Sequence, residues 1–170
     1  ISDEEEIARV TPVIEAVKSH FDVPVSIDTY KGNVAEAALQ AGADLVNDIW
    51  GFKFDYKTAE VTARYHAACC LMHNRNEAIY QNFLEDMVAD MKECVAIAHK
   101  AGVPDDKIML DPGVGFGKTY EQNLEAINIR KHHIQNRQIN LLIPDAVQCV
   151  LSRIKLKYRI LIILKIQFDN

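Results

Sequence analysis

Two rhythms of apolar residues alternate along this chain. Across residues 3–19, Ile7, Val10, Val13, Ile14 and Val17 fall at helical spacing behind a Ser2/Glu5 capping-box pair, which predicts an opening amphipathic helix. The next segment, residues 23–29, is short and largely apolar and finishes on Asp28-Thr29, as a buried strand with a polar end does. The alternation then repeats. An alanine-rich helix over residues 33–41 is stopped by Gly42, and residues 44–49 form a second strand carrying Asn47 and Asp48 near its end. A helix over 57–65 leads to a strand over 67–73, a long helix over 83–101 ends at Gly102, and a strand over 107–111 precedes a Pro/Gly-rich loop and a helix over 120–127.

Four strands alternating with helices, each mostly apolar, imply a parallel sheet shielded on its faces, so the expected class is α/β. An open doubly wound sheet and a barrel both fit the alternation. The polar residues favour the barrel. Asp28-Thr29, Asn47-Asp48, His73-Asn74 and Asp111 each sit at the C-terminal end of a strand, where a (β/α)8 barrel builds its site, whereas an open sheet gathers such groups at one switch point. The expectation is a partial (β/α)8 barrel of about four parallel strands.

Composition changes this picture in one place. At 49% apolar and 25% charged the chain is ordinary globular protein, and the acidic opening has none of the marks of a secretory leader, so the reading is cytoplasmic. Charge, however, is uneven. Residues 129–170 hold 8 of the 19 Lys and Arg but only 2 of the 24 Asp and Glu, leaving residues 1–128 strongly acidic. The division is therefore a barrel fragment over residues 1–128 and a divergent basic tail over 129–170. Such a tail can serve an acidic partner, which keeps a non-catalytic interaction protein as a competing reading.

Cys69, Cys70, Cys94 and Cys149 show no C-x-x-C spacing, and the six histidines include no H-x-x-x-H pair on an expected helix, which argues against a disulfide framework or a transition-metal site. The candidate chemistry lies in Asp28, Asn47 and Asp111. Two carboxylates and an amide converging on a pocket suit a flat heterocycle with N–H and carbonyl edges, although Asp and Asn are also favoured helix caps. Ile49, Met72 and Phe116 are candidates for the walls of a ring-binding slot, against the ordinary alternative of core packing. In Asp111-Pro112-Gly113-Val114-Gly115-Phe116-Gly117-Lys118 the spacing from Gly113 to Lys118 is one residue short of a phosphate-binding P-loop, though Lys118 still puts a charge beside a loop able to accept an anion. His73 and Arg75 read as solvent-facing loop residues, and Cys69 and Cys70 as small core apolars.

The segments at residues 26–31, 41–51, 71–75 and 110–119 together resemble the dihydropteroate synthases, in that family's order, across residues 1–128. The resemblance implies a (β/α)8 barrel that condenses 6-hydroxymethyl-7,8-dihydropterin diphosphate with 4-aminobenzoate, giving 7,8-dihydropteroate and diphosphate in folate biosynthesis. It further implies that Asp28, Asn47, Ile49, Met72, Asp111 and Phe116 hold the pterin and that Asp28 is catalytic. Mg2+ is the implied cofactor, small molecules rather than nucleic acid or membrane are the implied partners, and the family pairs as homodimers. The pterin-binding module of a methyltetrahydrofolate-dependent methyltransferase is the alternative, disfavoured by residues 47–51 and 73–75.

Departures from the family pattern set a further expectation. The metal-binding Asn, the Ser-Arg-Lys strand segment and the Arg-x-His diphosphate element have no counterpart in residues 1–170, so no metal ligand is assigned and the homodimer is not carried over. The chain alone is expected to be inactive, and diphosphate release on adding both substrates and Mg2+, above a heat-killed control, is the observation that overturns it.

Overall fold

The computed structural model describes residues 1–128 and 162–164. In chain order the elements are α1 (Asp3–His20), β1 (Val25–Asp28), α2 (Gly32–Gln40), β2 (Leu45–Asp48), α3 (Lys57–Arg64), β3 (Ala68–Met72), α4 (Phe83–Ala101), a 3-10 turn (Asp105–Lys107), β4 (Ile108–Asp111), α5 (Tyr120–Asn128) and β5 (Ile162–Leu164). All strand pairs are parallel, in the order β4-β3-β2-β1-β5. The four expected strands are adjacent in the sheet in the order of their appearance. A fifth, β5, lies in the segment read from sequence as a tail and pairs with β1.

Local chemistry accounts for the helix limits. The Ser2 side chain accepts a hydrogen bond from the Glu5 N–H, and Asp3, Glu4, Glu5 and Glu6 place negative charge in the first turn of α1, where the helix dipole favours it. Pro12 interrupts the hydrogen-bond ladder of α1 by lacking an N–H, yet the helix continues because Val10 and Ile14 on either side are buried against the core. Helix α4 ends at Gly102, whose φ of 99° lets its N–H turn back to the Ala98 carbonyl.

The sheet has two unlike faces. Val25, Ile27, Val46, Cys69, Leu71, Ile108 and Leu110 point toward the helices and share one core cluster with Ile14, Val34, Ala98 and Phe52. Alternate positions carry Leu45, Ala68 and Met109, which make a separate small cluster with Cys70. This second face lies on the side away from the helices, the side that faces inward in a barrel.

Candidate functional site

Register decides which groups meet. Asp28 lies beside Asn47, Asn47 beside Cys70, and Met72 beside Asp111. Neighbours in parallel register present side chains to the same face, and residues two apart on one strand do likewise. Asp28, Asn47, Cys70, Met72 and Asp111 therefore share the face away from the helices, all near the C-terminal ends of their strands. Directly beneath them lie the buried Ser26 and the apolar Leu45, Ala68 and Met109, a mostly apolar floor. Polar groups above an apolar floor make a site of the kind that binds a flat, partly polar ligand.

Asp28, Asn47 and Asp111 are half-buried and Met72 is buried. The Asp111 Oδ1 accepts the Gly113 N–H at 2.7 Å, which fixes the carboxylate through the turn that follows it. Ile49 is half-buried in the loop after β2, and Phe116, 37% exposed, stands in the loop after β4. Of the two cysteines read as core residues, Cys69 is one, but Cys70 belongs to the row of Asp28 and Asn47. Burial, with the charges of Asp111 and Asp28, pushes its thiol up to about 12, so it stays protonated and unreactive.

Asp48 follows Asn47 and faces the opposite way, fully buried on the helical side. Its carboxylate accepts from the backbone N–H groups of Trp50 and Phe52 at 2.7 and 3.1 Å. Burial raises its pKa to about 6, against the pull of those N–H donors. The turn it holds places Phe52 at φ 68°, an unusual conformation for a side chain with a Cβ, and buries the phenyl ring completely.

The loops after β3 and β4 are joined by a polar network that corrects three readings of the sequence. His73 is fully buried, its Nε2 3.0 Å from Asp90 Oδ2. Burial first, and then the Lys118 charge, depress its pKa to about 4 despite Asp90, so the imidazole is neutral at pH 7. Arg75 is half-buried and grips Asp90 through Nε at 2.6 Å and an Nη at 3.1 Å, with its guanidinium 4.4 Å from the Tyr80 ring centroid. The Lys118 ammonium turns inward and donates to the Gly113, Phe116 and His73 carbonyls at 2.8, 2.9 and 3.4 Å. Burial lowers its pKa to about 8. It is occupied by backbone rather than offered to an anion. Asp90, on α4, carries no local motif, and only its position in space reveals its part.

Among the described residues no group of three or more His, Cys, Asp or Glu side chains is placed to hold a metal ion. Mg2+, which needs only one or two carboxylates beside water and phosphate oxygens, thus has no three-residue protein cage among them. No described helix is long and apolar enough to cross a membrane.

Parallel strands joined by helices, with carboxylates and an amide along their C-terminal rim, define an α/β protein of the partial (β/α)8-barrel class. The chain belongs to the pterin binding enzyme family, whose model matches residues 1–164. It is 62% identical over 128 residues to the dihydropteroate synthase of Clostridium beijerinckii, a match covering 75% of this chain and 48% of that protein. The dihydropteroate synthase of Bacillus subtilis is 50% identical over 128 residues, covering 75% of this chain and 45% of the relative. The chain spans about half the length of the curated relatives it matches. Among solved structures, the dihydropteroate synthase of Clostridium difficile in the presence of pteroic acid superposes with a TM-score of 0.77 at 38% identity, covering 91% of this chain and 62% of that one. The Xanthomonas albilineans enzyme with 4-aminobenzoic acid gives 0.75 at 28% identity, covering 83% and 51%.

Proposed function

We propose that residues 1–128 form the pterin-reading part of a dihydropteroate synthase, in which Asp28, Asn47 and Asp111 hold the pterin ring and Ile49, Met72 and Phe116 wall its slot. The observation that carries this reading is the shared register of Asp28, Asn47, Met72 and Asp111 on one face above an apolar floor. It is supported by relatives named as dihydropteroate synthases and by solved relatives holding pteroic acid or 4-aminobenzoic acid. A pterin presents N–H donors and one carbonyl along its polar edge. Carboxylates accept from the donors, and an amide both donates and accepts, so this set of side chains matches that edge.

The proposed reaction breaks the bond between the pterin methylene carbon and the diphosphate oxygen and forms a bond from that carbon to the 4-aminobenzoate nitrogen, which loses a proton. Diphosphate departs with the electron pair, leaving positive charge to develop on the methylene and ring. In this reading Asp28 stabilises that charge electrostatically, an effect strengthened where water is excluded.

Titrating the purified chain with a pterin and following the fluorescence of Trp50, its single tryptophan, tests the reading. Saturable binding weakened by Asp28→Asn, Asn47→Ala and Asp111→Asn is expected. Absence of binding by the unsubstituted chain at millimolar pterin overturns it.

A further inference from the structure

The geometry points to Lys118 as a positioning residue that acts on the ligand only through Phe116, by cross-linking the loop of residues 112–118 to the end of β3. The inference rests on the reading of Phe116 as a wall of the pterin slot. An ammonium carries three donors, and all three here meet backbone carbonyls, those of Gly113 and Phe116 within the loop and of His73 beyond it. A surface lysine ordinarily keeps its charge in water and its stem on the protein. Lys118 is half-buried and turns its ammonium onto backbone carbonyls instead, although Phe116 two residues away is exposed.

The loop needs such a tie. Gly113, Gly115 and Gly117 all adopt positive φ, so the sequence contributes little stiffness of its own. At two of these positions the backbone also presses against the segment after β3. A Cβ on Gly113 would collide with the His73 carbonyl oxygen, and one on Gly117 with that of Arg75. Tyr80 donates from its hydroxyl to the Gly117 carbonyl at 2.7 Å while its ring supports Arg75. The backbone around Phe116 is thus held by two ties, Lys118 at the Gly113 and Phe116 carbonyls and Tyr80 at that of Gly117. Removing either leaves the side chain of Phe116 intact but lets its backbone wander.

A double-mutant cycle on the full chain separates this role from general support. Lys118→Met is expected to weaken pterin binding about tenfold, the scale of one or two lost hydrogen bonds. Phe116→Ala weakens it as well, and the double variant should bind no worse than Phe116→Ala alone. Tyr80→Phe should reproduce the Lys118→Met effect more weakly. Unchanged affinity in Lys118→Met, or independent multiplication of the two losses in the double variant, overturns the inference. Amide hydrogen exchange without ligand provides the second readout. Faster exchange across residues 112–118 in Lys118→Met supports the tie even if the unsubstituted chain binds no pterin, an outcome that sinks the functional reading alone. Unaltered exchange there overturns the tie.

Discussion

Asn47 and Asp48 are adjacent, polar and on the same strand, yet they belong to different halves of the molecule. Asn47 stands on the face with Asp28 and Cys70, whereas Asp48 is fully buried on the other, holding the Trp50 and Phe52 N–H groups. The same division runs through β1 to β4. One face is a continuous core with the helices, and the other a thin apolar floor under groups that can meet a ligand. A single step along a strand separates a residue that stabilises from one that is free to work, and so the two properties can be perturbed independently.

Four substitutions test that independence. Leu71, fully buried among the helices, should lose about 2–5 kcal/mol of stability on change to Ala, measured by urea denaturation, with pterin affinity of the folded fraction unaltered. A parallel fall in affinity would mean that the faces are coupled. Asp48→Asn probes the polar residue on the same side by pH. A carboxyl whose folded pKa is raised to about 6 holds a proton the unfolded chain has released, so its contribution to stability is present below pH 4 and is lost as pH climbs to 6. His73 does the opposite. Its depressed pKa of about 4 makes stability rise between pH 4 and 6.5. Removing Asp48 should therefore make thermal stability climb more steeply with pH over that window, by roughly 3 kcal/mol at most for a two-unit shift. An unchanged slope refutes the assignment.

On the ligand face, Asp111→Asn replaces a charged acceptor and should weaken pterin binding by about 2 kcal/mol with little change in melting temperature. A large drop in melting temperature would instead show the carboxylate to be chiefly a turn residue, through its bond to Gly113. The smallest effect is expected at the margin of the helical layer. Ser2→Ala removes the cap of α1 and should cost about 1 kcal/mol in denaturation while leaving the ligand face untouched.

The row of polar groups at the strand ends was legible in the sequence because its signal is local. A strand ending in Asp or Asn, repeated at Asp28, Asn47 and Asp111, carries its position in the alternation of the strand itself. Helix limits were readable for the same reason, from Ser2 and Glu5 at one end of α1 and Gly102 at the end of α4. His73, Arg75 and Lys118 were misread because their partners are remote along the chain. Asp90 lies 17 residues from His73 and 15 from Arg75, and Lys118 is 45 from the His73 carbonyl it reaches. Nothing local turns a loop lysine inward. Cys70 escaped for another reason: its thiol is small enough to pass as core on either face, and only the strand register shows which face it took.

The order of the strands also bears on how the molecule comes to exist. Each of β2, β3 and β4 pairs with the strand made just before it, so Ile27 to Val46, Val46 to Cys69 and Cys69 to Ile108 each close after a few tens of residues. Loops of that length close at small entropic expense, and domains begin folding from the end synthesised first. Strand by strand, the sheet and its helical cover can therefore assemble as the chain leaves the ribosome. Pairing of β5 with β1 joins residues 25–27 to 162–164 and must wait until that far later segment has been made.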